Sequence, residues 1–231
     1  MAASPQVRRE PGDISQPPAR LIQIDSLAVH SNTYPYTSLL SNCDKNVQKR
    51  YIPGARSKVK SSVQRSLRNK FLETYPDFEP YIDEVMPKKA PLEAVKLPDR
   101  VTLYLSDSHP IFFQSLDSPL IPHLRVLHAF PNALPTIGID RGAIRFVLSG
   151  ATLMAPGLTS AGGRLPDPAN NPGDKELEAG QVVAVTAEGK EEICLVGELK
   201  MGTEEMKKKA KGVVMDEGHY LGDGLWNLQF D

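Results

Sequence analysis

The segment from residue 139 to residue 160, which reads IDRGAIRFVLSGATLMAPGLTS, limits what this chain can fold into more than any other. Its first half spaces four apolar residues so that they share one face of a short predicted helix. These residues are Ala143, Ile144, Val147 and Leu148. Gly150 can adopt the positive φ that ends a helix, and the apolar run 151–155 before Pro156-Gly157 predicts a buried strand and then a turn.

The two turns of this segment have two interpretations. Small residues at Gly150-Ala151 and Pro156-Gly157 leave main-chain N–H groups open to the close approach of a nucleic-acid backbone. Alternatively, the glycines serve only the tight turns of a barrel. The residues by themselves leave both interpretations open.

Composition narrows the class of protein. The chain has 231 residues, of which 40% are hydrophobic, so it can form one large domain or two small ones. It has neither an apolar run of the roughly 20 residues that span a bilayer nor the apolar core of a secretory signal, so we expect a cytoplasmic protein without a membrane partner. Cys43 and Cys194 are far apart and form no CxxC pair, so neither a disulfide framework nor a metal site is indicated, and no cofactor is expected.

The distribution of charge argues against RNA binding by a general positive field. The formal net charge is −1, and residues 132–231 carry ten Lys or Arg against fifteen Asp or Glu. Any RNA contact in this part of the chain must therefore come from a local basic patch.

Three regions follow from the pattern along the chain. Residues 1–56 are rich in Pro, Ser, Asn and Gln and are predicted to be a disordered or loosely ordered extension, in which the apolar stretch 21–29 could still add a strand. Residues 57–131 predict a small α+β domain. Its helices are expected over 58–75 and 77–86 and from Pro122 onward, and its strands over 94–97, 101–105 and 111–114, with 107–110 as a hairpin loop.

Residues 132–231 predict a second, barrel-like domain. Beyond the opening segment we expect a long Pro-rich loop over 162–180, a hairpin of strands 182–187 and 193–199, a helix capped by Thr203, and strands over 212–216 and 225–230. Short strands at this spacing favour a closed or nearly closed barrel. Trp226 is expected to be a packed residue of the last strand, and Asp140 to cap the helix of the opening segment.

Several blocks of the chain, in order, resemble the family of malignant T-cell-amplified sequence proteins, called translation machinery-associated proteins in fungi. The blocks are EPYID at 79–83 with MPKK at 86–89, LRVLH at 124–128, the segment 140–160, and HYL at 219–221 with DGLW at 223–226. The resemblance covers about residues 57–231. It implies an α+β protein in which a small N-terminal α+β domain precedes a C-terminal PUA domain, a small RNA-binding β-barrel. The Pro-rich extension and the length of the loop at 165–179 depart from the family pattern.

The resemblance also implies a function. Members of the family are non-catalytic RNA-binding translation factors that form a heterodimer with density-regulated protein and are similar to the corresponding half of ligatin. They act on the small ribosomal subunit in tRNA release, ribosome recycling, translation initiation and reinitiation in the cytoplasm. The implied partners are therefore small-subunit rRNA, tRNA and a density-regulated-protein homologue.

The candidate RNA-binding surface centres on two arginines. Arg141 and Arg145 are four residues apart on the proposed helix and would project from the same side toward neighbouring phosphates. The alternative is a solvated helix face that pairs with Asp140 and other acids. The full candidate set is Arg141, Arg145, Gly150, Ala151, Pro156, Gly157, Lys88, Lys89 and Lys200, with Lys207, Lys208, Lys209 and Lys211 as the next candidates.

Two other classes of function compete with this one. PUA domains also occur in RNA-modification enzymes and their accessory subunits, but the chain has no GxxxxGK[ST], HExxH or GxSxG motif, and His128 and His219 are expected to satisfy local hydrogen bonds rather than act as bases. The third class is a protein adaptor with little RNA binding, which the acidic balance of residues 132–231 favours.

Overall fold

The computed structural model describes residues 54–116 and 118–230. Residues 1–53 lie outside this range. The extension predicted for residues 1–56, the strand that its apolar stretch 21–29 could add, and the absence of a disulfide at Cys43 therefore stay predictions. The described chain enters the first sheet at Arg56, one residue before the predicted start of the α+β domain.

The N-terminal half is an α+β unit built on a five-stranded antiparallel sheet. The sheet has the order β1-β2-β3-β4-β5. Its strands are β1 Arg56–Lys58, β2 Leu92–Lys96, β3 Thr102–Ser106, β4 His109–Gln114 and β5 Ile121–Pro122. The α-helices are α1 Ser61–Thr74, α2 Ile82–Val85 and α3 Leu124–Ala129, and 3₁₀ helices span Pro76–Tyr81 and Pro98–Arg100.

The first predicted helix is confirmed, because its apolar side chains recur at helical spacing. Phe71 is fully buried, but Val63 is 47% exposed, so the buried face is narrower than the pattern suggested. The second predicted helix, over 77–86, is instead a 3₁₀ helix followed by the four residues of α2. Pro80 lies inside the 3₁₀ helix, and it has no N–H to continue an α-helical ladder.

The hairpin after β3 and the start of α3 differ from the prediction in their bounds. The hairpin between β3 and β4 turns at Asp107 and Ser108, whose φ values of 47° and 65° are positive at both positions, as tight hairpins require. His109 and Pro110 therefore belong to β4 and not to the loop. Pro122 likewise lies in β5, and α3 begins after His123, whose Nδ1 accepts a hydrogen bond from the Arg125 N–H.

The C-terminal half contains a four-stranded and a two-stranded sheet around one core, which makes an incompletely closed barrel. The four-stranded sheet has the order β11-β9-β8-β6, with β6 and β8 parallel, and β10 pairs with β7. Its strands are β6 Thr136–Ile139, β7 Leu153–Met154, β8 Val182–Ala187, β9 Ile193–Glu198, β10 Val213–Met215 and β11 Gly218–Tyr220. The helices are α4 Ile144–Val147, α5 Pro156–Thr159, α6 Thr203–Lys209 and α7 Gly224–Asn227.

Three sequence predictions in this half were wrong. Pro156-Gly157 does not form a turn but begins α5, because proline suits the first turn of a helix. The expected last strand over 225–230 contains α7, since the Asp223 carboxylate accepts a hydrogen bond from the Trp226 N–H at 2.8 Å and caps a helical turn. Thr203 is not a cap, because Gly202 holds that position and the Thr203 hydroxyl accepts from the Leu177 N–H.

The long loop between α5 and β8 is attached to the barrel. Gly138 of β6 and Arg164 exchange two backbone hydrogen bonds of 2.8 Å, and Pro166 and Leu177 are buried. No helix in the described part of the chain combines the length and the apolar character needed to cross a membrane.

The two halves share a hydrophobic core. Side chains of the barrel, including Val182, Val196 and Leu225, join the same buried cluster as Phe71 and Leu127 of the N-terminal half. One side of the barrel sheet is thus covered by the N-terminal half.

Candidate nucleic-acid interface

The two candidate arginines belong to neighbouring but different elements. Arg145 lies in α4, whereas Arg141 lies in the turn between β6 and α4, so the prediction that both lie on one helix was wrong. Asp140 explains the difference, because its Oδ1 accepts a hydrogen bond from the Ala143 N–H at 2.8 Å and closes a turn over these residues. Asp140 therefore caps this turn, while Ala143 holds the N-cap position of α4.

The Asp140 carboxylate also ties this turn to α5. Its Oδ2 accepts a hydrogen bond from the Ser160 hydroxyl at 2.5 Å, and that bond is the main reason why the pKa of Asp140 lies below its usual value. The Asp140 N–H donates to the Gly157 carbonyl at 2.8 Å. The backbone that carries Arg141 is thus held by hydrogen bonds at the residue before it.

Both arginines are exposed, and neither forms an ion pair within residues 54–116 and 118–230. The backbone N–H of Arg141 donates to Oε2 of Glu188 at 3.1 Å, and its guanidinium lies beside the β8–β9 hairpin. In the alternative interpretation this face is solvated and pairs with Asp140 and other acids. The Asp140 carboxylate bonds to Ala143 and Ser160 instead, whereas the exposure of both arginines is also what a solvated face predicts. Both guanidinium groups therefore remain available to an anionic ligand.

Phe146 is a residue of this surface that sequence reasoning missed. Its side chain is 52% exposed, and the Arg145 guanidinium lies over its ring at 4.6 Å from the centroid. The signal was present in the sequence, since Phe146 falls off the helix face formed by Ala143, Ile144 and Val147.

The glycines of the two turns have structural roles. Gly150 has a φ of 80°, which confirms the predicted positive value, and a Cβ there would lie 2.7 Å from the Tyr220 hydroxyl oxygen. Gly157 approaches Ala143 so closely that an added Cβ would lie 3.0 Å from that residue's Cβ. Both contacts are made with the protein itself, so the interpretation of these glycines as packing residues accounts for them. Ala151 and Pro156 are exposed beside them.

Most of the candidate lysines are paired with acids. Lys200 lies 3.3 Å from Asp216, and Lys88 lies 3.7 Å from Asp83 in the N-terminal half. Lys89 follows Lys88 after α2 and is exposed, in a part of the fold different from that of Arg141 and Arg145. Lys207, Lys208 and Lys209 pair with Glu176, Glu204 and Glu205, respectively, and Lys211 is exposed. The arginines thus differ from most of the lysines in lacking an acidic partner.

The histidines serve the packing of the two halves. Nδ1 of His219 shares a hydrogen bond of 2.8 Å with the Asp223 carboxylate, and Nε2 of His128 bonds to the Ile193 carbonyl at 2.8 Å. Trp226 packs against the His128 ring. The Arg125 guanidinium lies over the Trp226 ring, 5.3 Å from the centroid of that ring. Within the described ranges, no group of three or more His, Cys, Asp or Glu side chains is placed to hold a metal ion.

Comparison with known proteins gives the family. Residues 49–131 match the model of the Pre-PUA-like domain, and residues 135–221 match that of the PUA domain. The chain is 51% identical over 177 residues to translation machinery-associated protein 20 of Saccharomyces cerevisiae, which covers 77% of this chain and 94% of that protein. It belongs to that protein's family. Malignant T-cell-amplified sequence 1 of Rattus norvegicus is 39% identical over 171 residues, which covers 74% of this chain and 89% of the relative.

Solved structures agree on the fold. A conserved PUA domain protein from Thermoplasma acidophilum has a TM-score of 0.52 at 19% identity and covers 74% of this chain and 97% of its own. A hypothetical protein from Pyrococcus horikoshii has a TM-score of 0.58, also at 19% identity, and covers 74% of this chain and 98% of its own. At this identity, the likeness supports the α+β fold with a PUA domain and nothing finer.

Proposed function

We propose that this protein is a non-catalytic RNA-binding factor of translation, which binds the rRNA of the small ribosomal subunit through the surface around Arg141 and Arg145. The observation that carries the proposal is that these two exposed arginines lack acidic partners in a half of the chain where acids outnumber bases. Guanidinium groups bind phosphate oxygens through paired hydrogen bonds, so such a pair is well suited to an RNA backbone.

Family membership supports the translational part of the proposal. The relatives at 37–51% identity carry the names translation machinery-associated protein 20 and malignant T-cell-amplified sequence 1 or 2. We extend the proposal to tRNA release, recycling and reinitiation as a heterodimer with a density-regulated-protein homologue in the cytoplasm. The division into domains at 57–131 and 132–231 belongs to the same proposal.

An enzymatic role has less support. His123, His128 and His219 each have at least one ring nitrogen in a hydrogen bond within the fold, and the other nitrogen of His219, Nε2, is buried away from solvent. General acid–base catalysis requires such a group to face a reacting substrate. The relatives' names also describe association with the translation machinery and not an enzymatic reaction.

The proposal is tested by reversing both charges in Arg141→Glu with Arg145→Glu in the full chain. Affinity for purified small ribosomal subunits should fall by about tenfold or more, since the arginines no longer bind RNA phosphates and each new carboxylate repels the RNA backbone. The unfolding temperature should stay unchanged because both side chains are exposed. Arg65→Glu with Lys70→Glu on α1 is the matched control, with the same change in charge at two exposed residues of the N-terminal half.

The salt dependence of binding separates the proposal from the adaptor alternative. If the arginines bind RNA phosphates, Arg141→Gln with Arg145→Gln should reduce the slope of log affinity against log salt by about 0.7–0.9 for each phosphate that the variant no longer binds. A wild-type affinity that barely changes with salt, together with wild-type binding by the charge-reversed protein, would favour the adaptor.

A further inference from the structure

Phe146 is the only aromatic residue among the large apolar side chains that are exposed in the described part of the chain. The others are Val63, Leu116, Met154 and Val213. Phe146 is 52% exposed, whereas Val147 beside it in α4 is 3% exposed and belongs to the barrel core. The core therefore does not need the Phe146 ring, and the helix presents it to solvent.

The Arg145 side chain packs on the Phe146 ring. The Arg145 guanidinium lies 4.6 Å from the centroid of the Phe146 ring, which is the arrangement of a cation–π contact. Arg145 lacks an acidic partner in the described ranges, so its charge is not neutralised at this position. The guanidinium thus covers one face of an exposed aromatic ring without being paired to an acid, and the pair offers a base the outer plane of the guanidinium or the other face of the ring.

We infer that Phe146 and Arg145 together form a stacking site for one unpaired nucleobase of the RNA. The inference rests on the proposed function, because it names what the RNA places on that surface. Single-stranded loops and bulges splay out bases that stack on aromatic rings and guanidinium planes, whereas the bases of a regular duplex keep their faces covered. The Arg145 charge can meet a phosphate next to the stacked base while the ring contacts the base itself.

Apolar residues near the barrel surface do not provide an equivalent site. Met154 and Val213 are 44% and 39% exposed and are paired across the β7–β10 ribbon. Neither side chain has a flat π-face on which a base can stack. The occupant that we assign to Phe146 with Arg145 is a base with an adjacent phosphate, because it supplies both a flat π-face for the stack and an anion for the guanidinium.

The test compares two substitutions at Phe146 in the full chain, with purified small ribosomal subunits as the probe. Phe146→Leu keeps an apolar side chain but removes the ring, and we expect it to weaken binding roughly tenfold with an unchanged salt dependence. Phe146→Tyr keeps the ring and should bind within about twofold of the wild type. Leu116→Ala, at a residue that is 56% exposed in the N-terminal half, is the matched control and should bind normally.

Ultraviolet cross-linking identifies what covers the ring. Irradiation of the wild-type complex should attach a nucleotide to the peptide that contains Phe146, and the Phe146→Leu complex should lose that adduct. Wild-type affinity of Phe146→Leu overturns the inference. So does a loss of affinity without a nucleotide adduct, because a protein segment would then cover the ring.

The outcomes also separate this inference from the proposed function. If Arg141→Glu with Arg145→Glu abolishes binding while Phe146→Leu binds normally, the surface binds RNA without a stacked base. If neither change affects binding, the proposed surface itself is wrong.

Discussion

The imidazole rings of His123 and His219 contact each other inside the junction of the two halves, with their centroids 4.4 Å apart. His123 is 0% exposed and His219 is 1% exposed. Nδ1 of His123 accepts a hydrogen bond from the Arg125 N–H, and Nε2 faces the Leu225 carbonyl at 3.4 Å, so the bonding pattern assigns the proton to Nε2. A second proton on His123 would therefore break the cap of α3 and bury a positive charge.

The stability of the protein should consequently fall in mild acid. Burial, with His219 as a second cause, holds the pKa of His123 well below its usual value. The unfolded chain takes up this proton below a pH of about 6.5 and the folded chain does not, so His123 causes no loss of stability above that pH. Below it, the free energy of unfolding should decrease by up to about 1.4 kcal/mol per pH unit for this proton. Urea unfolding at a series of pH values measures the slope.

His123→Asn is the matching variant, because asparagine retains a cap acceptor for the Arg125 N–H but does not titrate. Its slope below a pH of about 6.5 should be smaller by about one proton. His109→Asn, at an exposed residue, is the control and should keep the wild-type slope. A wild-type free energy of unfolding that is flat between about pH 7 and pH 5 would contradict the assignment.

Trp226 should contribute to stability and not to RNA affinity. It packs against His128, lies beneath Arg125, and is partly buried against the core that joins the two halves. Trp226→Ala should lower the free energy of unfolding by about 3 kcal/mol, the lower end of the range for buried aromatic residues. Chemical denaturation measures this, with Leu116→Ala as an exposed control. Weaker RNA binding at unchanged stability would instead make Trp226 a base-stacking residue.

Gly150→Ala should destabilise the barrel by more than about 1 kcal/mol. The positive φ is unfavourable for alanine, and the new Cβ would lie 2.7 Å from the Tyr220 hydroxyl oxygen. Gly173→Ala is the control, because a Cβ there meets nothing within 4 Å and the residue has no positive φ. Thermal unfolding should give a lower midpoint for Gly150→Ala than for Gly173→Ala. Equal midpoints would show that the turn at Gly150 adapts.

Cys194 should be chemically inert in the folded protein. Its side chain is buried in β9, its thiol donates to the Val185 carbonyl, and burial raises the pKa of the thiol to about 12. In a Cys43→Ser variant at a pH of about 8, a thiol-specific reagent should therefore leave Cys194 unmodified until denaturant is added, because the thiolate is the reactive form. Rapid modification of the native variant would show that β9 opens readily.

The features that the sequence determined are those set by near neighbours in the chain. Helix α1 follows from apolar residues at helical spacing, and the β8–β9 hairpin from two β-patterns around Gly189. The positive φ of Gly150 follows from its place after a short helix. The family was likewise evident from several blocks of residues that keep their order along the chain.

Only the tertiary structure decided which groups are paired and which remain available. Lys200 and Arg145 are both basic in the sequence, but the fold brings Asp216 to Lys200, whereas within the described ranges it brings no acid to Arg145. The exposure of Phe146 and the contact of His123 with His219 depend on the same packing of distant segments. Ion pairing and burial are set by distances in space, and local periodicity does not encode which remote side chain arrives beside a given one.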